Sequence, residues 1–279
     1  MSLISLLIAL MAERHLSSAL WQFSTYYQHY LAWLSEKFTA EKIFQHNLST
    51  SLVVLVPTLL VWLLIHLFDS VLFEFVFSTL ILIICLGCVQ AREAYKCFLR
   101  SAFRGEITTC ELNRQQLLQE KGLEEQGFGQ ALIWLNYRYF IAIILFFVLF
   151  GAAGAVFYRL LTALVEQPKQ QPVVVPVQQV SWLKQVLAVI DWLPVRITAF
   201  GYMFVGHFSN AITTWLESLY DFDSSANKVL ISVAQVAEDF LIDEDDCTAE
   251  PCLLVRLAKR NLLLLLAFIS LLTLLGVIS

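Results

Sequence analysis

Residues 189–208 read VIDWLPVRITAFGYMFVGHF, an apolar run that nonetheless holds Asp191, Pro194, Arg196 and His207. An arginine left in lipid costs roughly 3 kcal/mol on the insertion scale. Such groups must therefore sit at the bilayer interface or line a polar cavity, where charge on greasy helices can hold a ligand. An Asp just ahead of a Pro is a helix-start pattern, because the carboxylate accepts orphan N–H groups and Pro is tolerated at the first helical position. The spacing predicts Asp191 as that cap and a short interfacial or re-entrant helix from Pro194 to about His207. Arg196 and His207 then lie about 20° from eclipsed at 100° per residue, with Phe200 and Phe204 on the line between them.

Other polar groups interrupt apolar stretches elsewhere. LIWLNYRYF, residues 132–140, carries Asn136 and Arg138. Arg138 reads either as a helix-end anchor that snorkels or as a pocket group. GAAGAVFYR, residues 151–159, sets Gly151 and Ala155 four apart, a small-xxx-small pattern for close helix approach. Arg159 is the next step on that face, after Tyr158, and should point at the packing partner. AREAYKCFLRSAFR places Arg92, Lys96, Arg100 and Arg104 at intervals of four, one broad helical face. That face fits lipid phosphates at a membrane surface or a phosphorylated ligand held by bidentate arginines. Glu13, Arg14 and His15 close the first apolar run, as a helix terminus at the interface or as part of a site.

No nucleotide loop, nucleophile elbow, zinc-protease pair or dinucleotide fingerprint is present, so the catalytic residues are unknown and no cofactor is expected. Cys85 and Cys88 lie among Leu, Ile and Val, and read as small apolar residues of a spanning helix rather than as metal ligands. Cys247 and Cys252 lie in the acidic loop LIDEDDCTAEPC and could pair in an oxidising compartment. The acidic cluster 243–246 lacks the spacing of a calcium loop and reads as a solvated charge run, so no metal is expected.

The elements that must position these residues are apolar helices. Of 279 residues 58% are hydrophobic and 15% charged, with a mean hydropathy of +0.70, which excludes an ordinary soluble domain. The net charge of −5 argues against a nucleic-acid partner. The expected fold is all-α: a polytopic integral membrane protein with about four transmembrane helices, at about 48–68, 71–90, 139–158 and 261–279. Amphipathic or re-entrant interfacial helices, including the first 15 residues, complete it. Pro57 should kink the first span, and 166–181, with its prolines, reads as an extended linker. Residues 209–246 read as amphipathic helix, and the whole of 1–279 as one membrane domain. Ten of 18 Lys and Arg lie in the amino-terminal segment and 91–138, which favours a cytoplasmic side for those parts.

The ordered stretches LIALMAERH, LIWLNYRYF, GAAGAVFYR and VIDWLPVRITAFGYMFVGHF resemble the AmpE family over essentially the whole chain. The resemblance implies a multi-pass protein of the bacterial inner membrane, a regulatory signalling modulator linked to β-lactamase induction and cell-wall recycling. Its partners would be the lipid bilayer, a phosphorylated or cell-wall-derived small ligand, and a protein effector. That family in turn resembles the CobD/CbiB membrane synthases, which form an amide between an amino-alcohol phosphate and a carboxylate using ATP. Gly151, Gly154, Tyr158 and Arg159 match their Gly-x-x-Gly-x-x-x-Tyr-Arg stretch, and Asp191, Pro194 and Arg196 their Asn-x-x-Pro-Ala-Arg stretch. The acidic pair of that class is replaced here by Leu187 and Ala188, which removes carboxylates suited to Mg²⁺. The alternative of an amide-forming synthase thus stands beside a sensor that keeps an anion-binding pocket. The pocket residues this implies are Glu13, Arg14, Arg92, Asn136, Arg138, Tyr158, Arg159, Asp191, Arg196 and His207.

Overall fold

The computed structural model describes the chain except residues 1, 17, 38–43, 45, 69, 167–174, 222–223, 239–247 and 277–279. Much of the predicted linker, the acidic cluster and Cys247 lie outside the described residues. The regular elements among the described residues are all helices, with no strand among them. Their order is α1 Ser2–His15, a 3-10 turn, α2 Phe23–Lys37, α3 Asn47–Leu67, α4 Val71–Cys85, α5 Val89–Phe103, α6 Ile107–Lys121 and α7 Phe128–Asn136. A π-helical turn Tyr137–Ile141 follows, then α8 Ala142–Glu166, α9 Val177–Val205, α10 Phe208–Tyr220, α11 Ala226–Ala237 and α12 Ala249–Leu274. Four runs are long and apolar enough to cross a membrane: Asn47–Leu67, Phe128–Glu166, Val177–Val205 and Ala249–Leu274.

Two compact units share these elements. The first comprises residues 1–87, 142–189 and 270–279. In it α1 packs on α4, and α8 packs on α3 and α4. Thr50 donates to Gln179 Oε1 (3.3 Å) and Tyr30 to the Val53 carbonyl (3.0 Å), so these polar groups are paired between helices. The second unit comprises residues 88–141 and 190–269. There α5 and α6 form a hairpin whose inner face, Ala91, Phe98, Cys110 and Leu117, closes on Phe128, Leu132, Leu135 and Tyr139.

Three expectations about boundaries are corrected. The second predicted span, 71–90, stops at Cys85, because Gly87 (φ 88°) turns the chain before α5 begins. Cys85 therefore ends α4, and Cys88 lies at the bend before α5; the two helices, bent by 44°, together match a broken span or a re-entrant loop. The predicted helix start at Asp191 and Pro194 is not one: α9 runs unbroken from Val177 through both to Val205. The start signal is Pro176, whose carbonyl accepts from Gln179 and Val180 N–H. An internal Pro removes one helical hydrogen bond but does not end a helix that packing holds. The fully predicted amphipathic stretch 209–246 is two helices, α10 and α11, in its described part.

The third predicted span, 139–158, is not one straight helix. Gly151 has φ 67° and ψ −159°, far from helical. Across it, the rings of Phe146 and Tyr158 stack with centroids 4.9 Å apart. Twelve residues of straight helix would separate them by roughly 18 Å, so the chain doubles back at Gly151. Gly154 permits this: a Cβ there would lie 2.6 Å from Phe150 Cβ and would run into the Phe146 carbonyl oxygen. The 128–150 run alone still exceeds the roughly 20 residues a crossing needs. The tip residues Leu149 and Phe150 are exposed. Gly151 thus makes the reversal and is no part of a packing face, whereas Ala152, Ala155 and Arg159 are buried. Gly151→Ala should lower stability by about 1–3 kcal/mol, the cost of forcing a side chain into a Gly-only region, read as a drop in the detergent melting midpoint. Ala152→Gly, two atoms away in composition but helical in backbone, should cost no more than about 1 kcal/mol.

Candidate functional site

The polar groups that the sequence singled out converge in the second unit, where the carboxyl-terminal part of α9 meets the π-helical turn. Asp191 is 1% exposed. Its Oδ1 accepts from the Tyr137 hydroxyl at 2.7 Å, and its Oδ2 lies 3.6 Å from Arg138 Nη2. Tyr137 is fully buried and Arg138 is 8% exposed. Arg138 is therefore a buried ion-pair partner, not a snorkelling helix anchor. Asp191, read above as a cap, instead projects from mid-helix as the counter-charge of Arg138. The wider π turn places the consecutive residues Tyr137 and Arg138 on one carboxylate, a recurrent use of such bulges at functional sites. Asn136 sits at the end of α7, and its side-chain Oδ1 is buried with no hydrogen-bond partner among the described residues.

Arg196, five residues beyond Asp191, is spent on backbone. Its Nε and Nη2 donate to the Ser218 carbonyl at 3.0 and 2.7 Å, and Nη2 also reaches the Asp221 carbonyl at 2.6 Å. These are the carbonyls that end α10, so a buried cation satisfies both the orphan acceptors and the negative end of that helix dipole. Nη1 donates to the Trp192 carbonyl (3.0 Å), and Trp215 Nε1 donates back to the Arg196 carbonyl (3.1 Å). Nearby, α12 reaches the same helix at Gly201, where a Cβ would collide with the Asn261 amide oxygen, and Asn261 donates to the Thr198 carbonyl at 3.1 Å.

Each arginine also lies over a tryptophan four residues earlier. Arg138 is 4.7 Å from the Trp134 ring centroid and Arg196 is 4.2 Å from that of Trp192. The spacing was visible in the sequence as a repeated W-L-x-x-R, once in 134–138 and once in 192–196. Sequence reasoning missed Trp134, Tyr137, Trp192 and Trp215; that repeat was the signal that finds two of them, Trp134 and Trp192, since i,i+4 residues are helical neighbours.

The remaining candidates make other contacts. His207 is exposed at the start of α10, and its N–H donates to the Ala237 carbonyl at 2.7 Å. The expected stripe from Arg196 to His207 is thus broken: Phe200 and Phe204 are exposed and α9 ends at Val205. Arg92 is half-buried on α5. In the first unit, Tyr158 is fully buried against Phe146, and Arg159 lies over the Phe23 ring at 5.0 Å. Glu13 covers Gly87, while Arg14 and His15 are exposed at the end of α1, where cations suit the helix dipole.

With this geometry in view, comparison with known proteins is decisive for family. The sequence matches the family described as regulatory signalling modulator protein AmpE over residues 1–279. The chain belongs to the AmpE family. It is 29% identical over 235 residues to Protein AmpE of Shigella flexneri, covering 79% of this chain and 75% of that protein. No solved structure matches it. Together with the apolar helices, family membership makes this chain a multi-pass membrane protein of the regulatory signalling modulator type.

Removing one side of the buried pair leaves an uncompensated charge. Asp191→Asn should therefore destabilise the protein by about 3–5 kcal/mol, whereas Tyr137→Phe should cost only about 1–3 kcal/mol. The measurement is the melting midpoint of each variant in one detergent. An equal effect of the two would show that the ion pair adds nothing beyond the hydroxyl bond.

Proposed function

We propose that this chain is a regulatory sensor of the bacterial inner membrane, linked to β-lactamase induction and cell-wall recycling, and that it binds a phosphorylated or cell-wall-derived anion at the Asp191 cluster. The observation that carries the reading is the buried Arg138–Asp191 pair. Arg138 Nη2 and Asp191 Oδ2 lie 3.6 Å apart in it, and Arg is suited to bidentate oxyanion contacts. An incoming phosphate or carboxylate competes with Asp191 for Arg138. Asp191 keeps its Tyr137 bond while the α9 contact to the π turn loosens, and that change in packing is the signal. Arg196 holds the end of α10 in place during the exchange, and Asn136 offers its buried amide oxygen to a ligand N–H or O–H. Support for a regulatory role comes from the family; support for a site comes from the cost of keeping charges on apolar helices where nothing but packing is gained.

The test is thermal melting of the purified protein against cell-wall fragments, amino-alcohol phosphates and nucleotides, beside β-lactamase induction in cells carrying each variant. A ligand at 100 times its dissociation constant should add about 2.7 kcal/mol of stability. Arg138→Ala should abolish the shift and alter induction. The sensor reading is overturned if no anion shifts the wild type and the variant induces normally. Turnover of an amino-alcohol phosphate with ATP would replace it with the synthase.

A further inference from the structure

The α5–α6 hairpin has two unlike faces. Its inner face is closed by apolar packing, with the Phe98 and Phe128 rings stacked at 4.1 Å. Its outer face carries Lys96, Arg100 and Arg104, all exposed and making no ion pair among the described residues. At the turn, Phe103 is 82% exposed and Ile107 is 72% exposed. Large apolar side chains flanked by free cations are an odd pairing for water, yet they suit an interface where lipid phosphates lie above acyl chains. The acids nearby are Glu93 on α5 and Glu106 in the turn, both exposed, so three cations face two carboxylates. The half-buried Arg92 sits one turn earlier on the same line.

Chain connectivity supplies a second, independent argument. α5 begins at Val89, and the preceding helix α4 ends at Cys85. α4 is apolar and leaves Leu72, Val76 and Leu80 exposed, as a lipid-facing helix does. Four residues of chain reach on the order of 14 Å at most. The basic helix is therefore tethered close to a helix that needs lipid.

We infer that the α5–α6 hairpin docks on an anionic bilayer surface, with Lys96, Arg100 and Arg104 on lipid phosphates and Phe103 and Ile107 inserted among the upper acyl chains. This surface is separate from the Asp191 cluster and holds whether or not that cluster binds a ligand. It makes the hairpin sensitive to headgroup charge. A bilayer poor in anionic lipid releases it, and α6 with its Glu111–Arg114 pair moves with the turn.

The test is hydrogen exchange of the full-length protein in nanodiscs of phosphatidylcholine, with or without phosphatidylglycerol. Peptides covering 96–112 should exchange more slowly with phosphatidylglycerol present. The protection should vanish near 1 M salt, where the Debye length falls to about 3 Å. Lys96→Gln, Arg100→Gln and Arg104→Gln should each weaken it roughly fivefold, the effect of one cation at an anionic surface. Phe103→Ser should reduce it at low salt, and Arg100→Lys should keep it. Three results overturn the inference: equal exchange in both lipids, salt-insensitive protection, or protection restored in pure phosphatidylcholine by inorganic phosphate, which would mark a soluble phosphorylated ligand. The wild-type lipid and salt comparison decides the matter even if a variant fails to fold.

Discussion

A charge on an apolar helix must find a partner, and that constraint shapes the second unit of this protein. The desolvation of an isolated carboxylate or guanidinium is several kcal/mol even after relaxation. Asp191 meets it with Tyr137 and Arg138. Arg196 meets it with the carbonyls at the end of α10. In both cases the partner comes from another element, so each buried charge also fixes where that element must lie. The π turn at 137–141 is the local distortion that lets two neighbouring residues reach one carboxylate.

The two arginines show how one sequence device serves two ends. Each is preceded at i−4 by a tryptophan whose ring covers the guanidinium. Cation–π contact of this kind contributes about 0.5–2 kcal/mol and shields the charge from lipid. It leaves the polar edge of the guanidinium to be used elsewhere. Arg138 spends that edge on a carboxylate. Arg196 spends it on backbone carbonyls, which no anion can replace. Arg138 therefore ties α9 to the π turn, and Arg196 ties it to the end of α10.

Glycines supply the other constraint. Gly151 reverses the chain within α8, and Gly154 and Gly201 allow backbone and side chain to approach where a Cβ would collide. In lipid, helices gain little from hydrophobic contact with one another, so close packing at small residues carries more of the association.

By itself the sequence determined that the chain is helical and multi-pass, because apolar runs of membrane length leave no other way to satisfy the backbone. It also singled out Asp191, Arg138, Arg159 and Arg196, since a charge among Leu, Val and Phe is conspicuous whatever the fold. Only the tertiary structure decided what those charges do. Asp191 before Pro194 has the local chemistry of a cap, and it is a mid-helix residue because packing holds α9 straight through a proline. Gly151 and Ala155 have the spacing of a packing face, and Gly151 is a reversal because its φ of 67° lies where only glycine is at ease. Local sequence reports propensity within a few residues. The partners of Asp191 stand 53 and 54 positions away, and no periodicity within one helix encodes that meeting.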